Sequence, residues 1–152
     1  MNKQSFDFSE LDDLYQEIIL DHYRSPRNQK KLDNVDIESE GFNPFCGDKV
    51  LLSIKLEHGI VDQVSFEGNG CSISQASASM LTNLIKGATL DKARSFYSSF
   101  REMMHGKPKD TLEDLGEAAV LEGVRQFPIR IKCALLAWVA LEDGIKKYTN
   151  VT

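Results

Sequence analysis

The sequence predicts an α+β fold: a small antiparallel three-stranded sheet with about five helices packed mainly on one face. Three observations carry this. Val50, Leu52, Ile54 and Leu56 alternate along one face, and Val64 and Phe66 continue the alternation after a His58-Gly59 turn, the pattern of a half-buried hairpin. A weaker alternation between Asn34 and Gly41 supplies a further strand, and from Ile73 onward the apolar period becomes helical. With 152 residues the chain is long enough for one domain with a real core and short for two, so residues 1–152 are read as a single domain.

The elements follow in order. Ser9 and Asp12 make a capping-box-like start to a first helix, in which Leu11, Leu14, Tyr15, Ile18, Ile19 and His22 recur until Ser25-Pro26 stops it. The hairpin, Lys49 to Glu57 and its return through Phe66, leads to Gly68. GNGCSISQASASML (68 to 81) opens a second helix: Ile73, Ala76, Met80, Leu81, Leu84 and Ile85 share a face, Ala76 to Ser79 permit close packing, and Gly87 stands where a C-terminal glycine belongs. Thr89 caps a third helix, apolar at Leu90, Ala93, Phe96, Tyr97, Phe100 and Met103, that ends near Gly106-Lys107-Pro108. A short helical piece from Leu112 to Glu122 precedes the last helix, which begins after Phe127-Pro128 and sets Ile131, Leu135, Trp138, Glu142 and Ile145 in one row and Cys133, Ala137 and Ala140 in another.

Bulk properties exclude several function classes. The net charge is −5 and the basic residues are scattered, which argues against nucleic acid or an anionic membrane as a partner. The first thirty residues have no apolar signal region, and the longest apolar run, Cys133 to Leu141, is far too short to span a bilayer. A soluble, cytoplasmic protein is expected. Three widely separated cysteines do not suit a disulfide framework and fit a reducing compartment where thiols stay free.

Residues 43 to 50, NPFCGDKV, hold a thiol and a carboxylate on one tight loop, with Asn43-Pro44 and Gly47 as turn chemistry. Cys71 and Cys133 fall at or near helix N-termini, where unpaired N–H groups favour a thiolate. A free cysteine is often just a small buried hydrophobe, but all three here lie at the ends of elements. If those ends converge, Asp48 completes a Cys₃Asp set suited to tetrahedral zinc. Spacing alone leaves the set open, because there is no CxxC pair and His22, His58 and His105 compete for the fourth position. Each histidine has a plainer reading, in a core row, in a turn and at a helix end respectively.

NPFCGD, FEGNGCSISQASASML, RIKC at 130 to 133 and DHYRSPRN at 21 to 28 together resemble the iron–sulfur assembly proteins of the IscU, NifU N-terminal and SufU group, over nearly the whole chain. The resemblance implies an IscU-like fold, Cys46, Asp48, Cys71 and Cys133 as ligands of a metal or cluster, and Cys46, on a mobile loop, as persulfide acceptor. Three departures resemble the SufU branch: Lys132 where scaffold-type members carry histidine, FPIRIK (127 to 132) in place of a Leu-Pro-Pro-Val-Lys chaperone signal, and a longer stretch between Cys71 and Cys133. That branch implies a zinc-dependent sulfurtransferase accepting persulfide sulfur from a SufS-type cysteine desulfurase, with downstream iron–sulfur assembly proteins as further partners. Two alternatives stay open: a scaffold that assembles a [2Fe–2S] cluster, or holds iron, on the same residues, and a zinc-braced activator of the desulfurase that transfers nothing. Arg125, Arg130 and Lys132, near the third cysteine, are candidate supporting residues for docking a persulfide or partner, with solvated charge as the plain alternative. Tyr23, Arg27 and Asn28 match a recurrent stretch of the group and read as packing.

Overall fold

Residues 12–107 and 112–151 are described by the computed structural model. Strands Ile37–Asn43 (β1), Asp48–Glu57 (β2) and Ile60–Asn69 (β3) form an antiparallel meander in the order β1-β2-β3. The weak alternation read over Asn34 to Gly41 is β1, which starts later, at Ile37, and ends at Asn43. His58 and Gly59 make a two-residue turn with φ of 54° and 77°, the double positive φ that suits a type I′ hairpin. Residues paired across an antiparallel ladder share a face. Ile37 and Ile54, Leu52 and Phe66, and Ile54 and Val64 therefore line one buried face, and the same face ends in the pair Asn43 and Asp48. Glu38, Glu40, Phe42 and Lys49 stand on the opposite, exposed face.

The first helix, Asp13–Arg24 (α1), is capped by Asp12, whose Oδ1 accepts the Leu14 N–H at 2.9 Å. Ser9 of the expected cap and Leu11 of the helical row lie outside the described residues, as does Pro108. Helices Ser72–Ile85 (α2) and Leu90–Met104 (α3) follow, the latter capped as expected by Thr89, which accepts the Lys92 N–H at 3.1 Å. The short helical piece is a 3₁₀ segment, Leu112–Gln126, kinked at Gly116 and longer than expected. Its most deeply buried residues, Leu115, Ala118, Leu121 and Val124, recur every third position, the 3₁₀ period. Helix Pro128–Val151 (α4) starts on its proline, whose missing N–H costs nothing at a first helical position. Among the described residues no helix is long and apolar enough to cross a membrane.

Helices α2 and α4 pack on the sheet, α1 and the 3₁₀ segment pack on α2, and α3 lies against α4 and the 3₁₀ segment. Every residue from Ile73 to Thr82 is buried. Such a helix is usually apolar all round, yet α2 carries Ser74, Ser77, Ser79 and Thr82, so each hydroxyl needs a partner. Ser77 Oγ donates to the Ala134 carbonyl at 2.6 Å and accepts Trp138 Nε1–H at 2.9 Å, and Trp138 stacks on Phe100 at 4.1 Å. Ser79 Oγ accepts the Arg27 N–H at 2.8 Å and bonds His22 Nδ1 at 2.8 Å, while His22 Nε2 reaches Glu117 at 2.9 Å. Ser79→Ala leaves both groups unpaired and is expected to cost about 1–3 kcal/mol. Chemical denaturation checks this, and a wild-type midpoint would show that water replaces the hydroxyl.

Candidate metal centre

The ladder and the helix starts bring the site together. Asn43 and Asp48 are a register pair at the end of β1 and β2, and the loop between them, with Gly47 at φ 69°, carries Cys46. Asp48 continues the Val50-Leu52-Ile54 row, so a carboxylate occupies what would otherwise be a core position. Gly70, at φ 148°, turns β3 into α2. A Cβ there would collide with the Asp48 carboxylate and stand 2.9 Å from the Ser74 hydroxyl, so only glycine lets Cys71 cap the helix against Asp48. The Cys71 N–H donates to Asp48 Oδ1 at 2.8 Å, Ser74 Oγ stands 3.2 Å from the same oxygen, and the Ser74 N–H points at Cys71 Sγ at 3.5 Å. Cys133 lies in the second turn of α4, facing the end of the sheet.

All four predicted ligands are buried, and the three cysteines are free thiols. Cys133 Sγ stands 3.2 Å from Cys46 Sγ, and one potential ligand atom each of Cys46, Asp48 and Cys133 lie within 4.8 Å of one another. Tetrahedral zinc, with Zn–S near 2.3 Å and Zn–O near 2.1 Å, needs donors about 3.5–3.8 Å apart. The three donors therefore fit with small adjustments. Cys71 stands outside that group but touches it through Cys133. The hydrogen bond with Cys133 draws the Cys71 thiol down to about 7; burial opposes this, the Ser74 N–H assists, Asp48 opposes and Arg130 assists. The same bond, with burial and the field of Cys71, pushes Cys133 above the usual thiol range. A divalent cation would displace the proton these sulfurs share.

Of the supporting residues, Arg130 lies against the sulfurs: it is buried, with Nη1 3.4 Å from Cys46 Sγ and 3.9 Å from Cys133 Sγ. Burial works against its charge, but the bond to Cys133 and the fields of the three sulfurs outweigh that and raise its pKa. Lys132 is exposed, its Nζ 5.2 Å from the centre of the Phe45 ring. Arg125 turns instead to Glu122, at 3.4 Å, and lies beside Gly106 at the end of α3. No histidine belongs to the metal-competent group among the described residues: His22 is tied to Ser79 and Glu117, His105 Nδ1 bonds the Arg101 carbonyl at 2.9 Å, and His58 is exposed in its turn. In the recurrent N-terminal stretch, Arg27 pairs with Asp21 at 2.6 Å and Asn28 bonds Thr82 at 3.0 Å, which is packing; Tyr23 is exposed. Two contributors escaped the sequence reading, Asn43 and Ser74. The available signals were local: Ser74 is three residues past the cap Cys71, and Asn43 opens an Asx-type turn.

The NifU-like N terminal domain family matches residues 14–134. The chain is 50% identical over 137 residues to the zinc-dependent sulfurtransferase SufU of Bacillus subtilis (strain 168), across 90% of this chain and 92% of that one. It is 39% identical over 142 residues to the iron–sulfur cluster assembly scaffold protein IscU of Streptococcus pyogenes serotype M1, across 93% of this chain and 89% of that one. Its backbone matches the crystal structure of a NifU-like protein (N-terminal) from Brucella abortus with a TM-score of 0.83, across 93% of this chain and 98% of that one; at 24% identity this speaks for the fold alone. With that span matched and these identities sustained over most of its length, the chain belongs to the NifU-like N-terminal domain family of iron–sulfur cluster assembly proteins.

Proposed function

We propose that this protein is a zinc-dependent sulfurtransferase, one domain that accepts persulfide sulfur from a cysteine desulfurase for iron–sulfur cluster biogenesis. The observation that carries the reading is the buried convergence of Cys46, Asp48 and Cys133, with Cys71 against Cys133, in a chain half identical to a named zinc-dependent sulfurtransferase. Cys46, Asp48, Cys71 and Cys133 are the proposed ligands. When bound, zinc supplies the positive charge that keeps the sulfurs as thiolates.

Cys46 is the proposed acceptor. Its thiolate attacks the outer sulfur of the donor persulfide; a bond forms between Cys46 Sγ and that sulfur, which keeps its proton. The donor's S–S bond breaks, and its electron pair leaves on the donor's own cysteine sulfur as thiolate. Arg130, 3.4 Å from Cys46 Sγ, offsets the negative charge of the attacking sulfur. Asp48, Cys71 and Cys133 stay in the framework while Cys46 reacts. Phe45 and Ile129, 70% and 72% exposed beside the sulfurs, with Lys132 over Phe45, offer an apolar rim with one cation to a SufS-type desulfurase. Free thiols at the site support a cytoplasmic location, and downstream iron–sulfur assembly proteins are the proposed recipients of the sulfur.

A scaffold reading draws support from the likeness to IscU and from a ligand set that suits iron as well as zinc. Anaerobic incubation with a cysteine desulfurase, cysteine and ferrous iron separates the two. Retained zinc, no iron and sulfur on Cys46 are expected. Joint displacement of zinc by iron and acid-labile sulfide would instead make the protein a scaffold.

A further inference from the structure

Asn43 is buried, and both ends of its amide are engaged. Its Oδ1 accepts the Phe45 N–H at 3.2 Å, inside the loop that carries Cys46. Its Nδ2 stands 3.4 Å from Asp48 Oδ2 and 3.6 Å from Cys133 Sγ. The amide orientation follows from this chemistry, since a flip would turn the carbonyl oxygen toward a carboxylate and the nitrogen toward an N–H. Asp48 Oδ1 is held by the Cys71 N–H and the Ser74 hydroxyl, and Asn43 donates to the other oxygen. As the last residue of β1 and the register partner of Asp48, Asn43 has a backbone that stays in the ladder whatever the loop does.

We propose that Asn43 is a positioning residue that couples the Cys46 loop to the Asp48–Cys133 pair. Its oxygen sets where the loop rests and thus how readily Cys46 is reached. Its nitrogen keeps Asp48 and Cys133 in place when Cys46 swings out to a persulfide. The second role rests on the sulfurtransferase reading; the first does not.

Two variants separate the ends of the side chain. Asn43→Ala removes both, whereas Asn43→Ser keeps an uncharged acceptor for the Phe45 N–H. The first readout is the rate at which iodoacetamide alkylates each cysteine of the zinc-free protein, resolved by peptide mass spectrometry. The second is the rate at which zinc-loaded protein yields zinc to a chromogenic chelator. In Asn43→Ala, Cys46 alkylation is expected to rise several-fold relative to Cys71 and Cys133, and zinc release to accelerate by roughly tenfold or more, as for other outer-shell hydrogen-bond losses. In Asn43→Ser, Cys46 should react at close to the wild-type rate. Cys46 reacting as fast in Asn43→Ser as in Asn43→Ala would overturn the loop role, and so would an equal rise at all three cysteines, which marks general loosening. Wild-type zinc release from Asn43→Ala would overturn the ligand-holding role. Should Asn43→Ala not fold, Asn43→Val, which also lacks the acceptor and the donor, takes its place in both readouts against Asn43→Ser. A wild-type protein that binds no zinc would defeat the sulfurtransferase reading while leaving the alkylation test intact.

Discussion

Replacing Cys46 with alanine is expected to give a folded protein that takes up no sulfur from a persulfide donor. The other two thiols are poorly placed to substitute. Cys133 is fully buried in α4, and Cys71 caps α2 with its own N–H held by Asp48 and its sulfur facing the Ser74 N–H. Moving either sulfur toward a partner would unwind part of a buried helix, whereas Cys46 needs only loop motion. Losing it removes contacts with Cys133 and Arg130 but leaves Asp48, Cys71 and Cys133 in their elements. Weakened but measurable zinc binding should therefore remain. Mass spectrometry after incubation with a desulfurase and cysteine, beside metal analysis, checks both parts. A sulfur adduct forming on the variant at the wild-type rate would remove Cys46 from its role.

The second large effect is expected at Gly70. An alanine there must hold a φ near 148°, and its Cβ would stand 2.9 Å from Asp48 Cα, which belongs to the central strand and cannot step aside. Backbone strain of about 1–3 kcal/mol and overpacking of similar size predict a loss of about 2–6 kcal/mol in the zinc-free protein. The displaced Asp48 would also lose the Cys71 N–H, so zinc content should fall with stability. Denaturant midpoints and metal analysis test this together. Wild-type values for both would mean that the turn into α2 relaxes freely.

How much of this was legible in the sequence depended on how local the determining chemistry is. Thr89 as a cap and the His58-Gly59 turn act through their immediate neighbours, and each is where the sequence puts it; the last helix starts on Pro128 itself, just ahead of the expected start. The start of β1 was less clear because it is an edge strand with Glu38 and Glu40 exposed, so only part of it reports on the core. The helical piece expected from Leu112 to Glu122 is present but runs on to Gln126 and is 3₁₀, a distinction that the run Ala118 to Leu121, apolar at every position, does not reveal. At the site, the placement of cysteines at element ends left convergence open and the resemblance implied Cys46, Asp48, Cys71 and Cys133, of which the structure groups Cys46, Asp48 and Cys133. Arg130 and Arg125 looked alike on the page, but Arg130 is one turn from Cys133 on α4 and faces the sulfurs, whereas Arg125 belongs to the segment packed on α3. Asn43 and Ser74 were hidden because their roles depend on which residue a strand register or a helix start sets opposite Asp48.

The Asn43–Asp48 register pair has one more consequence, for distance. The core row of β2 fixes Asp48, and the ladder fixes Asn43, so the chain between them is a tether whose two ends cannot move. On the proposed acceptor role, the reach of the Cys46 sulfur beyond the protein surface is then set by half the contour of that tether, which grows by roughly 3.4 Å for each residue. Fold stability and delivery distance are thereby separable: residues added to the loop would lengthen the arm while leaving the core that anchors it unchanged.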